Sequence, residues 1–128
     1  MAQRFILTSM AGIEVGHYKR SDQPTGCTVV LSRSGATGGV AVQGYAPGTR
    51  ETNLTDPSAT VQQVHAVVLS GGSSFGLATA DGVVRRLHEE GVGFPITGGP
   101  VAIVPAAILT TWGSAAPATP PPRMEPRH

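Results

Sequence analysis

Cysteine is almost missing from this chain of 128 residues: Cys27 stands alone. A disulfide framework within one chain is therefore excluded, which fits a reducing compartment. Charge of one sign is lacking as well. Nine Lys and Arg face eight Asp and Glu, a formal net charge of +1, so there is no basic face to serve as a nucleic-acid footprint. No apolar run approaches the roughly 20 residues of a membrane span. The opening MAQRFILTSMAG carries an apolar run too short for a signal peptide. The histidines His17, His65, His88 and His128 have no metal-ligand spacing. The expectation is a soluble, cytoplasmic protein of one small domain, with neither membrane nor nucleic acid as a partner.

What is present is glycine and proline, 17 and 11 residues, with 40% hydrophobic residues. That load argues for many turns rather than long helices. GIEVGHY, Gly12 to Tyr18, alternates with period two and predicts a short strand. GCTVVLS, Gly26 to Ser32, is β-branched and predicts another, and a third is expected near Val40 to Gln43. Together they suggest an antiparallel meander. Asp56 or Ser58 is placed to cap a short helix near Ala59 to Val64. Ala66 to Leu69 is a continuous apolar run, hence a buried strand. From Ser73 to Glu90 the apolar positions fall at helical spacing, with Ser73 or Ser74 as N-cap, Arg85, Arg86 and His88 in the last turns and Gly91 as stop. Pro100 to Leu109 reads as strand and then turn.

The stretch with most chemical promise is VVLSGGSSFGLATADGVVRRL, Val67 to Leu87. A Gly/Ser turn entering a helix offers free amides and the positive dipole end to an anion or a carbonyl oxygen. One reading is thus a small anion- or nucleotide-binding module using Ser70 to Ser74. Against it, SGGSSFG has no P-loop lysine, and Gly71, Gly72 and Gly76 miss the dinucleotide spacing. The glycines also suit a plain tight turn. Ser73 and Ser74 invite a nucleophile reading, but helix capping explains them more cheaply. Cys27, without a histidine near it in sequence, reads as a small core residue. APGTRETN puts Arg50 and Glu51 on a Gly/Pro loop, either a surface turn with a weak ion pair or a loop folded over a site.

The segments GIEVGHY, TGCTVVL, APGTRETNL, VHAVVLSGGSSFGLATADGVVRRL and VAIVPAAIL, in order from Gly12 to Leu109, resemble peptidase family S58, the DmpA-type L-aminopeptidase/D-esterase group. The resemblance implies an α/β (α+β) fold, part of an αββα four-layer sandwich shared with ornithine acetyltransferase. It implies a precursor that cuts itself, so that a new N-terminal Ser or Thr becomes the nucleophile with its own α-amino group as base. It implies no cofactor and no metal. It also implies a peptide or amide substrate, and a homo-oligomer of processed heterodimers for the full-length family. Carried onto this chain, it makes Ser70, Gly71, Gly72, Ser73, Ser74, Phe75 and Leu77 a substrate-pocket wall. Gly48, Thr49, Arg50, Glu51 and Thr52 become a loop beside the site. No catalytic residue maps: the family nucleophile follows a Gly-Asn-type junction beyond the matched region, and the single asparagine here, Asn53, is followed by Leu54.

Residues 1–109 are thus expected to be the N-terminal part of such a hydrolase domain. After Leu109 the pattern stops, and five of the 11 prolines lie between Pro117 and Pro126. Residues 110–128 are expected to be a disordered tail. They are also expected to be out of frame. A GC-rich coding of the family's continuation, Tyr-Asp-Leu-Gly-Val-Gly, gives Thr-Thr-Trp-Gly-Ser-Ala when read one base late, which is Thr110 to Ala115. A chain without the nucleophile region is expected to be inactive alone, with an apolar sheet face left open.

Overall fold

The computed structural model describes residues 6–111, and the expected tail lies almost wholly outside them. The chain forms strands β1 (Glu14–Lys19), β2 (Gly26–Ala36), β3 (Thr49–Arg50) and β4 (Val64–Ser70), helix α1 (Thr79–Glu89), and strands β5 (Phe94–Ile96), β6 (Gly99–Val101) and β7 (Ala106–Ile108). The architecture is mixed α/β: a five-stranded sheet of order β1-β2-β4-β7-β3 with one helix, and a small β5–β6 hairpin. The β4–β7 pair is parallel and the other pairs are antiparallel. The parallel step needs a crossover, and the segment from Gly71 to Pro105, which includes α1, supplies it.

Period two in the central strand divides the two faces of the sheet. In β4, Ala66, Val68 and Ser70 are buried, whereas Val67 and Leu69 are 36% and 51% exposed. The buried face meets Ala80 and Leu87 of α1, together with Ala102, Val104 and Ala106. Leu87 is 1% exposed, and its burial is worth about 1.5–3 kcal/mol. The apolar run Ala66 to Leu69 is thus buried on one side only. The other face is open, as expected for one helix layer and one sheet layer of a thicker sandwich.

Helix α1 ends as its sequence indicates. Gly91 takes φ +73°, its N–H donates to the His88 carbonyl at 3.0 Å, and the Val92 N–H donates to the Leu87 carbonyl at 2.8 Å. This pair of bonds is a Schellman stop, and Val92 packs on the core beside Leu87. The beginning differs from expectation. Ser73–Ala78 is a 3-10 turn entered from Gly72 in the left-handed region, and the α-helix follows at Thr79 without a side-chain cap. Ser73 itself has φ 56°, which is incompatible with its serving as an extended N-cap.

Other expectations also give way. Val40 to Gln43 is not a strand. Its expected place beside β2 belongs to β4, whose register runs from Cys27↔Ser70 to Leu31↔Ala66. The meander therefore stops at two strands. No helix forms from Ala59 to Val64, because Val64 opens β4 and pairs with Ala36. Asp56 instead closes a single turn: its Oδ1 accepts the Ser58 N–H at 2.8 Å and the Ser58 hydroxyl at 2.5 Å. Pro100 to Leu109 begins as expected, with Pro100 and Val101 closing β6, but after the non-strand stretch 102–105 a further short strand, β7, follows near its end. Among the described residues no helix is long and apolar enough to cross a membrane.

Candidate functional site

Two clefts open side by side on the uncovered sheet face. The larger, about 740 Å³, lies at the sheet end formed by His17–Lys19, Pro24–Thr28, Leu69–Gly71 and Ala107–Leu109. The smaller, about 390 Å³, lies under the loop Gly38–Gly48, with Thr49, Thr52, Val67 and Leu69 among its walls. Leu69, Ala107 and Ile108 line both.

The expected pocket wall is divided by this geometry. Ser70 and Gly71 line the larger cleft. Gly72, Ser73, Ser74, Phe75 and Leu77 line neither. Leu77 packs against the helix-side core, and Phe75 is half exposed. In the loop, Gly48, Thr49 and Thr52 line the smaller cleft, but Arg50 and Glu51 line neither. Arg50 pairs with Asp81 at the start of α1. Glu51, at φ 56°, accepts the Val104 N–H at 3.1 Å. The two neighbours do not pair with each other; each ties the loop to a different part of the core.

The Gly/Ser turn makes its own use of its amides. Gly71 N–H donates to the Gly26 carbonyl at 2.9 Å and Ser73 N–H to the Leu109 carbonyl at 3.1 Å. Gly72 N–H donates to Thr111 Oγ1 at 3.2 Å. A phosphate cradle needs such groups free. These bonds draw the ends of β2 and β7 around the turn and shape the cleft. The packing is tight enough to demand glycine: a β-carbon on Gly76 would overlap the Gly71 carbonyl oxygen, and one on Gly71 would overlap the Thr25 hydroxyl.

Nucleophile chemistry has little support in these residues. The Ser70 hydroxyl is buried between the Gly71 carbonyl and Thr79 Oγ1, both at 3.1 Å, with no basic side chain bonded to it among the described residues. Burial pushes the Cys27 thiol up, away from the reactive thiolate. His65 is buried, its Nδ1 accepting the Ile103 N–H at 3.2 Å, and burial pushes its pKa below the ordinary 6.5. It is a neutral core histidine that bonds strand β4 to the segment before β7. Among the described residues no group of three or more His, Cys, Asp or Glu is arranged to hold a metal.

Sequence reasoning passed over the polar groups that do line the larger cleft. His17 Nδ1 and Thr28 Oγ1 lie 2.9 Å apart, and Lys19 joins them on the lining. Period two along β1 puts His17 and Lys19 on one face, but only the pairing His17↔Thr28 brings the hydroxyl beside the ring.

The model of peptidase family S58 matches residues 6–114, and the chain belongs to this family. An uncharacterized aminopeptidase of Mycobacterium leprae is 48% identical over 111 residues, which cover 80% of this chain and 31% of that protein. Uncharacterized aminopeptidases of Mycobacterium tuberculosis and Mycobacterium bovis are 47% identical over 111 residues, covering 80% of this chain and 32% of theirs. The chain therefore spans about a third of the length of these relatives.

Proposed function

We propose that this chain is the N-terminal part of a self-processing aminopeptidase or amidohydrolase that acts on peptide or amide bonds through an N-terminal Ser or Thr nucleophile. The match to the peptidase family over residues 6–114 carries the reading. Support comes from the open sheet face and the 740 Å³ cleft beside Ser70 and Gly71, which give a substrate a wall to rest on. The 128-residue chain alone is inactive in this reading, because the family nucleophile would lie beyond the segment that matches. In the full-length setting the protein is a cytoplasmic homo-oligomer of processed heterodimers.

The test is hydrolysis of L- and D-aminoacyl p-nitroanilides. The purified chain should give no turnover above buffer. The gene product extended through the downstream open frame should split into two polypeptides and then turn the substrates over. An extended product that stays in one piece and hydrolyses nothing would remove the proposal. The rival, an anion-binding module at Ser70 to Ser74, is disfavoured by the engaged amides of Gly71, Gly72 and Ser73; stabilisation by millimolar phosphate would revive it.

A further inference from the structure

The β1 end of the larger cleft has a chemistry that the reading above leaves unused. One row of cross-strand partners crosses the sheet: His17 faces Thr28, Thr28 faces Leu69, and Leu69 faces Ala107. Direct partners share a sheet face, and neighbouring strands lie about 4.8 Å apart, so the row spans about 14 Å. Its β1 end is polar and its middle apolar. Lys19 follows His17 on the same face, about 7 Å along the strand. All five residues line the cleft.

The polar end is fixed and electropositive. His17 Nδ1 lies 2.9 Å from Thr28 Oγ1, which holds the ring; in the tautomer in which the Thr28 hydroxyl donates, Nε2 carries the proton. Among the described residues Nε2 has no partner, and Lys19 makes no ion pair. Among the described residues no Asp or Glu lines the cleft, so none of them compensates the Lys19 charge within it. A free α-ammonium would be repelled here, and a carboxylate would be drawn in.

We propose that this end of the cleft is a carboxylate subsite. The Lys19 ammonium and the His17 imidazole take the free C-terminal carboxylate of a short peptide, and its apolar side chain rests on Leu69 and Ala107. From β1 to β4 is about 10 Å, the reach of about three extended residues. The inference deepens the hydrolase reading and rests on it for the choice of a peptide as ligand. The α-ammonium end of that peptide must then be held by carboxylates outside this cleft.

Lys19 is the only lysine of the chain, so reductive 13C-methylation places one side-chain NMR probe in the cleft besides the N-terminal amine. The full 128-residue chain is titrated with N-acetyl-leucyl-alanine and, separately, with its C-terminal amide. The acid should shift the Lys19 methyl and His17 ring signals saturably, and the amide should bind about tenfold more weakly or worse. In the unmethylated protein, read at the His17 ring, Lys19→Met should bring the acid down to the level of the amide while the backbone spectrum stays dispersed. Arg86→Met, which removes an exposed helix cation outside the cleft, should change nothing. Acid and amide titrating alike, an unaffected Lys19→Met, equal losses in both variants, or no shift at about 20 mM ligand would each overturn the subsite. Saturable binding together with an inactive extended gene product would count against the hydrolase reading and leave the subsite standing.

Discussion

The Glu51 carboxylate accepts the backbone N–H of Val104 at 3.1 Å, joining positions 53 residues apart in sequence. It does so from a backbone at φ 56°, a region that residues other than glycine seldom occupy. Its neighbour Arg50 pairs with Asp81. The loop that frames the smaller cleft is thus tied both to the segment before β7 and to the first turn of α1.

Removing that tie should be measurable. Glu51→Ala leaves the Val104 N–H without its acceptor and keeps the left-handed backbone, and it should cost about 1–3 kcal/mol. Glu51→Gln retains a neutral acceptor and should cost less. Urea unfolding midpoints of the two variants against the parent decide the point, and equal losses would show that the hydrogen bond is not what holds the loop.

Two glycines should respond in opposite directions to the same change. Gly76→Ala drives a β-carbon into the Gly71 carbonyl. The turn must shift, which should cost about 1–3 kcal/mol. Gly82, inside α1 with nothing within 4 Å of a built β-carbon, should tolerate Ala with a gain of about 0.5–1 kcal/mol. Thermal unfolding of both variants checks the pair.

Stability should fall with acid as pH drops below 6.5. Burial holds the folded-state pKa of His65 below the ordinary 6.5, so the unfolded chain takes up the proton first. The stabilisation is complete above pH 6.5 and is lost as pH falls from there through the folded value. Asp22 and Asp56, shifted below 3.8, contribute only at lower pH. Urea midpoints between about pH 7.5 and 5.5 should decline in the parent and flatten in His65→Gln.

The open face should govern solubility without governing stability. Leu69 is 51% exposed, and threonine suits a strand surface. Leu69→Thr should change stability by less than about 0.5 kcal/mol while lowering dye binding and aggregation. A large loss of stability would mean that the face is covered in solution.

Local pattern was legible where local physics decides the outcome. The alternation in GIEVGHY, the β-branched GCTVVLS and the Gly91 stop all appear in the structure, because strand pairing, side-chain branching and a left-handed glycine act within a few residues. The run VQQVHAVVLS misled by one element: Val61 to Val64 favour neither state locally, and pairing of Val64 with Ala36 made the end of this stretch strand rather than helix. The turn SGGSSFG was legible as a turn. That its amides would be engaged by Gly26, Leu109 and Thr111 was not, since those partners arrive from other parts of the chain.

By itself, then, the sequence determined the family through a series of matching segments, together with the absence of a disulfide framework and the mixed α/β character. Tertiary structure alone decided that β4 lies between β2 and β7, that Arg50 and Glu51 serve as ties rather than as cleft lining, and that His17, Thr28, Leu69 and Ala107 form one row. The reason is physical. Periodicity tells a side chain which face of its own strand it takes, but the register between strands is set by pairing and by burial against α1, and register is what brings distant residues side by side.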